Sequence, residues 1–222
     1  MEQALLADIL SRTAALVVGV FLLVATSLSL MRTVVVPRSL RSIISDAVAT
    51  VVVAVSLGIS RLRRTYLKRD GVLAWTGPLI IIAQLFTWMV LYLIAYGLLI
   101  RGVSGMGFGE AMRESGSSLF TLGFASVNTE NQTIIDFMAA ATGPVVIALL
   151  IGFLPDIYSN SIARAVEATM LSATGGEPAW GPELLSRFAL ANAVDGLPRV
   201  FVNWAQWATR LRLTHVTYPV LV

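Results

Sequence analysis

The run GSSLFTLGFAS, Gly116 to Ser126, is rich in small and hydroxyl-bearing residues within a largely apolar chain. Such residues bring no acid–base pair and no nucleophile with its base. What they offer is backbone. Carbonyl oxygens of Thr121, Leu122, Gly123, Phe124 and Ala125, with the Thr121 hydroxyl at the inner end, can replace the hydration shell of a cation when several copies surround an axis. EAMRESGSSL, just upstream, predicts a short helix from Glu110 to about Leu119. Its C-terminal end would carry the negative end of the helix dipole. The plainer alternative is a turn between two helices. T-x-G-[FY] alone occurs by chance in many proteins.

The surrounding elements bear on that choice. The chain has 222 residues, 56% hydrophobic and 13% charged, with a mean hydropathy of +0.78. Soluble domains carry about 25% charged residues. An all-α membrane protein is therefore expected. About 20 apolar residues cross a hydrocarbon core, and three segments qualify: Ala14–Val36, Leu79–Ile100 and Ile134 to about Leu154. The loop lies between the second and third. Non-helical backbone at membrane depth survives only when buried in protein or lining a water-filled path. This favours a re-entrant hairpin over a turn.

A fourth apolar run, Ala47–Ile59, is 13 residues long. Arg32, Arg38 and Arg41 precede it, and Arg61, Arg63, Arg64, Lys68 and Arg69 follow it. Lys and Arg gather on cytoplasmic flanks. With both flanks inside, the run would be an interfacial or short helix rather than a span. The expected topology places the N-terminus outside, Arg32–Asp70 inside, Arg101–Thr133 outside and everything from Asp156 onward in the cytoplasm. The expected location is the plasma membrane, crossed several times. The first helix is an anchor rather than a signal peptide, because its leader is acidic and its apolar run too long. The chain divides into 1–70 (first helix and basic segment), 71–158 (outer helix, loop and inner helix) and 159–222 (helical cytoplasmic tail).

Several functions are disfavoured. The chain has no cysteine and one histidine, His215, so no multi-thiolate or multi-histidine metal site is expected and no cofactor is implied. Nucleotide-binding, metalloprotease and hydrolase motifs are not found, so an enzyme is not expected. The pI near 9.7 reflects cations beside the apolar segments, where topology explains them better than nucleic acid does. The span interiors lack the acids of a proton-coupled transporter, and no internal repeat is seen.

The loop and its flanks resemble a bacterial family of potassium-channel-like membrane proteins with one pore loop between two pore helices. SGSSLFTLGFAS carries the likeness, together with MRTVVVPR (Met31–Arg38), KRDGVLAWTGPL (Lys68–Leu79), IGFLPDIYSNSIARAVEATMLSATGGEP (Ile151–Pro178) and THVTYPVLV at the end. The likeness is collinear over nearly the whole chain. It implies a passive cation channel, potassium-conducting or weakly selective between potassium and sodium. One loop cannot ring an axis, so a homotetramer in the lipid bilayer is implied. Against the pattern T-V-G-Y-G, Leu122 replaces Val, Phe124 replaces Tyr and Ala125 stands at the second Gly. A positive φ at Ala125 would cost roughly 1–2 kcal/mol. A non-conducting scaffold or sensor that keeps the pore fold is the rival reading.

Other residues fit the same scheme. Gly143, Gly152 and Pro155 interrupt the third apolar helix and could hinge a gate; close packing by small residues explains Gly143 equally well. Asp156 at the cytoplasmic mouth would form a carboxylate ring in a tetramer; a solvated charge at the helix end is the plainer alternative. Gln84, Trp88, Tyr92 and Tyr96 share one helix face, expected to pack on the short helix. Phe201, Trp204, Trp207 and Leu211 recur at helical spacing beside Arg199, Arg210 and Arg212. They suggest a core-facing helix of a tail module in preference to a membrane-surface helix, and the tail could receive a cytoplasmic regulator. YPVLV makes an abrupt apolar end, as in a truncated tail.

Overall fold

The structure, a computed structural model, describes residues 2–35, 42–62, 71–72, 75–125, 130–176 and 180–217. Every element among the described residues is helical: α1 (Glu2–Leu30) with a π-helical turn (Met31–Val35), α2 (Ile43–Arg61), α3 (Thr76–Ser104), α4 (Phe108–Leu119), α5 (Glu130–Gly175), α6 (Gly181–Leu190), a 3₁₀ turn (Val194–Gly196) and α7 (Leu197–Thr217). Four of them, α1 with its π turn, α2, α3 and the first part of α5, are long and apolar enough to cross a membrane. The chain forms two compact units, Met1–Ile151 and Gly152–Val222.

In the first unit α3 is the central post. It is apolar until Arg101 and closes at Gly105, whose φ of 72° supplies the left-handed cap. Helix α1 packs along it through small residues. A Cβ on Gly19 would sit 3.0 Å from the Ala95 carbonyl oxygen, and one on Gly102 would overlap the Leu16 side chain. Polar groups fix the register. Arg12 donates to the carbonyls of Gly102 (3.3 Å) and Val103 (2.9 Å). Ser27 pairs with the Tyr92 hydroxyl at 3.0 Å. The Trp88 indole N–H donates to Ser29 Oγ at 3.2 Å. Rising numbers on α1 meet falling numbers on α3, so the two helices are antiparallel. The hydrogen bonds of Trp88, Tyr92 and Tyr96 therefore go to α1 and α5 rather than to the short helix. The Tyr96 hydroxyl reaches Thr142 Oγ1 at 2.7 Å. The short helix uses the neighbouring face, around Leu93 and Gly97.

Helix α2 is longer than its apolar run. Ser42 caps it by accepting from the Ser45 N–H, and Ser42 Oγ pairs with Ser29 Oγ at 2.7 Å. The helix thus takes in Ile43 to Asp46 ahead of the apolar run, and Ser60 and Arg61 after it. Its 19 residues span about 28 Å. Shortness is therefore no longer a reason to deny it a crossing.

Helix α5 is continuous from Glu130 to Gly175. It runs through Gly143-Pro144, Gly152 and Pro155, so Pro155 does not terminate it. A helical proline forfeits one backbone hydrogen bond and kinks the helix, and membrane helices tolerate that.

The second unit contains the rest of α5 with α6 and α7. Pro182 sits in the first turn of α6, where its missing N–H costs nothing. Phe201 and Trp204 meet edge to face, with ring centroids 6.0 Å apart. Trp204, Trp207 and Leu211 are half-buried, while Phe201 is 52% exposed. The side chains of Asp156 and His215 and the last residues, 218–222, lie outside the described residues, as do most of the basic flanks, residues 36–41 and 63–70.

Candidate functional site: a loop held from one side

The loop depends first on α4. This 12-residue helix, Phe108–Leu119, starts two residues earlier than Glu110. Ala111, Glu114, Ser115, Ser117 and Leu119 are buried. Ser115 Oγ donates to the Leu93 carbonyl at 2.8 Å, and Met112 lies on Gly97. Leu93 lies 11 residues before Ser104, about 16 Å down α3. Rising numbers on α4 meet falling numbers on α3, so the short helix runs back along α3.

Two further pairs give its direction relative to α5. The Gln132 side-chain amide donates to Glu114 Oε1, and Ser118 Oγ donates to Asp136 Oδ1 at 2.8 Å. Numbers rise together on both helices, so α4 and the start of α5 run parallel.

Bonds to α4 hold residues 120–125. Phe120 N–H donates to the Gly116 carbonyl (3.1 Å), Thr121 N–H to Ser118 O (3.0 Å) and Leu122 N–H to Ser117 O (2.8 Å). Ser117 Oγ then accepts two more N–H groups, from Phe124 and Ala125, each at 3.1 Å. Arg113 lies 5.4 Å over the Phe124 ring, a cation–π contact. The carbonyls of Thr121, Leu122, Gly123 and Phe124 accept no hydrogen bond among the described residues. These four residues are exposed and Ala125 is half-buried.

Backbone strain falls in an unexpected place. Thr121 has φ 54° and Gly123 φ 70°. Ala125, where the comparison with T-V-G-Y-G anticipates a positive φ, does not have one. The strained non-glycine residue is Thr121, at a cost of order 1–3 kcal/mol. Its hydroxyl bonds the Phe120 carbonyl at 2.7 Å.

Gly143 belongs to this site by packing. A Cβ there would overlap the Leu119 carbonyl oxygen. The last turn of α4 therefore abuts the α5 backbone, and only glycine permits it. Gly152, by contrast, has open space around it, and Pro155 is exposed; both lie in the second unit.

Sequence reasoning missed Glu114, Ser117 and Gln132. Glu114 is 5% exposed, Ser117 2%, Gln132 0% and Asp136 6%. The usable signal was local. Glu114, Ser117 and Ser118 stand at i, i+3 and i+4, one face of a short helix. Burial, and then the charge of Asp136, raises the Glu114 carboxyl above its ordinary value. Below the loop an apolar groove is lined by Leu85, Phe86, Met89, Val90, Leu93, Phe120 and Ile147.

No family model, curated protein or solved structure matches the chain.

Proposed function

We propose that the protein is a passive cation channel of the potassium-channel-like type, carrying potassium or, with weaker selectivity, sodium. The observation that carries this reading is the asymmetry of residues 120–125. Five of their N–H groups are bonded to α4, whereas the carbonyls of Thr121, Leu122, Gly123 and Phe124 accept nothing among the described residues. Unsatisfied carbonyls beside the negative end of α4 suit a dehydrated cation. One chain supplies four such oxygens on one side of an axis, so the site is completed by symmetry, as a homotetramer. The exposure of Thr121 to Phe124 supports a channel over a scaffold whose loop is collapsed onto its own helices.

The packing of α1 against α3 supports one topology. Helices α1 and α3 are antiparallel, so the end of α1 and the start of α3 face the same side. Despite its length, α2 between them makes no net crossing and lies in the cytoplasmic interface, where the flanking cations belong. The N-terminus shares the outer side with the α3–α4 turn, and α5 returns inward. Size-exclusion chromatography with light scattering on the detergent-solubilised protein tests the assembly. Four subunits are expected; a monomer or dimer would contradict it.

A further inference from the structure

Glu114 and Asp136 form a buried acidic pair directly behind the loop. Glu114 belongs to α4 and Asp136 to α5. Their other bonds are accounted for. Asp136 Oδ1 accepts from Ser118, and Glu114 Oε1 accepts from Gln132. Asp136 Oδ2 is buried with no donor, and the bonds Gln132–Glu114 and Ser118–Asp136, one turn apart on two parallel helices, set the two buried carboxyls on facing turns of α4 and α5. The charged groups nearby do not relieve the pair. On α4, Glu110 and Arg113 are exposed, and Arg113 is engaged by Phe124. On α5, Glu130 is exposed. From α3, the Tyr96 hydroxyl is taken by Thr142 and Met138 O, and the Tyr92 hydroxyl by Ser27. No Lys, Arg or His side chain pairs with either carboxyl among the described residues. Two unpaired carboxylates this deep would repel in a low dielectric, and the usual resolution is that one keeps its proton.

We propose that one proton is bound between the Glu114 and Asp136 carboxyls and latches α4 to α5 behind the filter-like loop. Glu114 is the acid. Its O–H donates to Asp136 Oδ2, which gives that oxygen its missing donor. Glu114 and Asp136 are positioning residues. Ser118, bound to Asp136, is next to Ser117, which holds the Phe124 and Ala125 N–H groups. Burial already disfavours the Glu114 carboxylate, which agrees with this assignment. Removing the proton leaves two negative charges in contact and loosens the last turn of α4. The effect on ion passage rests on the channel reading; the proton itself does not.

Infrared spectroscopy of the full chain in lipid nanodiscs tests the proposal. At neutral pH the wild type should show a protonated-carboxyl C=O stretch. The band should disappear in Glu114→Gln and on alkaline titration. Asp136→Asn, which also removes the charge conflict, should abolish it or return it to the ordinary acidic titration range. Hydrogen exchange supplies the positional readout. Protection of the Phe124 and Ala125 amides, corrected for the intrinsic rate, should fall at least tenfold through the alkaline titration of the wild type and hold steady in Glu114→Gln. A wild type without the band at neutral pH would overturn the proposal, as would a band unchanged in both variants. Loss of the band with unchanged loop protection would overturn the latch. None of these readouts needs an ion to move, so a failed flux assay would count against the channel reading alone.

Discussion

The hairpin of α4, its loop and the start of α5 contrasts with the C-terminal helices α6 and α7. In the hairpin, polar side chains are buried and bonded: Ser115 to the Leu93 carbonyl, Ser117 to two loop amides, Ser118 to Asp136. In the C-terminal unit, large apolar side chains are exposed: Leu190 at 88%, Trp180 at 63%, Phe201 at 52%. The ordinary assignment of polar residues outside and apolar residues inside is inverted between them. A buried hydroxyl with a backbone partner fixes direction, because leaving that partner unpaired costs about 1–3 kcal/mol. An exposed apolar side chain fixes nothing within its own chain. The hairpin is thus specified one bond at a time, while α6 and α7 are specified mainly by helix periodicity.

Substitutions should separate the two regions. The largest effect is expected at Gly143. Gly143→Ala drives a methyl into the Leu119 carbonyl, and overpacking of this kind costs roughly 1–3 kcal/mol, occasionally more. Thermal unfolding in detergent should show a clear drop in midpoint, whereas Gly152→Ala, with open space around it, should change little. Ser117→Ala comes next. It strips the shared acceptor from two amides, for about 1–3 kcal/mol, and the Phe124 and Ala125 N–H groups should exchange faster while those on α3 do not. A third effect depends on pH. Glu114 holds its proton more tightly in the fold than in the unfolded chain, so its contribution to stability is present at low pH and lost as pH rises through the folded value. Glu114→Gln should flatten that slope of the unfolding midpoint. The smallest effect belongs to the other region. Leu190→Ser at the end of α6, 88% exposed, should stay within about 0.5 kcal/mol, and a larger loss would break the contrast by revealing a packing partner.

The two regions also differ in how far the sequence disclosed them. The apolar runs located α1, α3 and the start of α5, because burial in lipid selects composition directly. The short helix before Thr121 was legible from its polar, amphipathic pattern. Less legible was anything set by one atom's place in space. Counting apolar residues stopped α2 at Ala47, since a serine cap and Asp46 belong to the helix without being apolar. Pro155 read as a hinge or an end of its helix, because a missing N–H is visible in sequence, and the unbroken helix Glu130–Gly175 excludes only the end. The face Trp88, Tyr92, Tyr96 could be grouped by spacing, but its partner could not. Ala125 drew attention by comparison with a glycine, although the left-handed residues are Thr121 and Gly123. Buried Glu114 resembled any helix-surface acid.

The central claim is that the carbonyls of residues 121–124 conduct cations. Potassium-driven flux into liposomes containing the full chain tests it most directly, with Gly123→Asp as the internal control. The account predicts potassium flux in the wild type and its abolition by Gly123→Asp, with the oligomer unchanged. A wild type that passes no cation, or a flux that Gly123→Asp leaves intact, would contradict it.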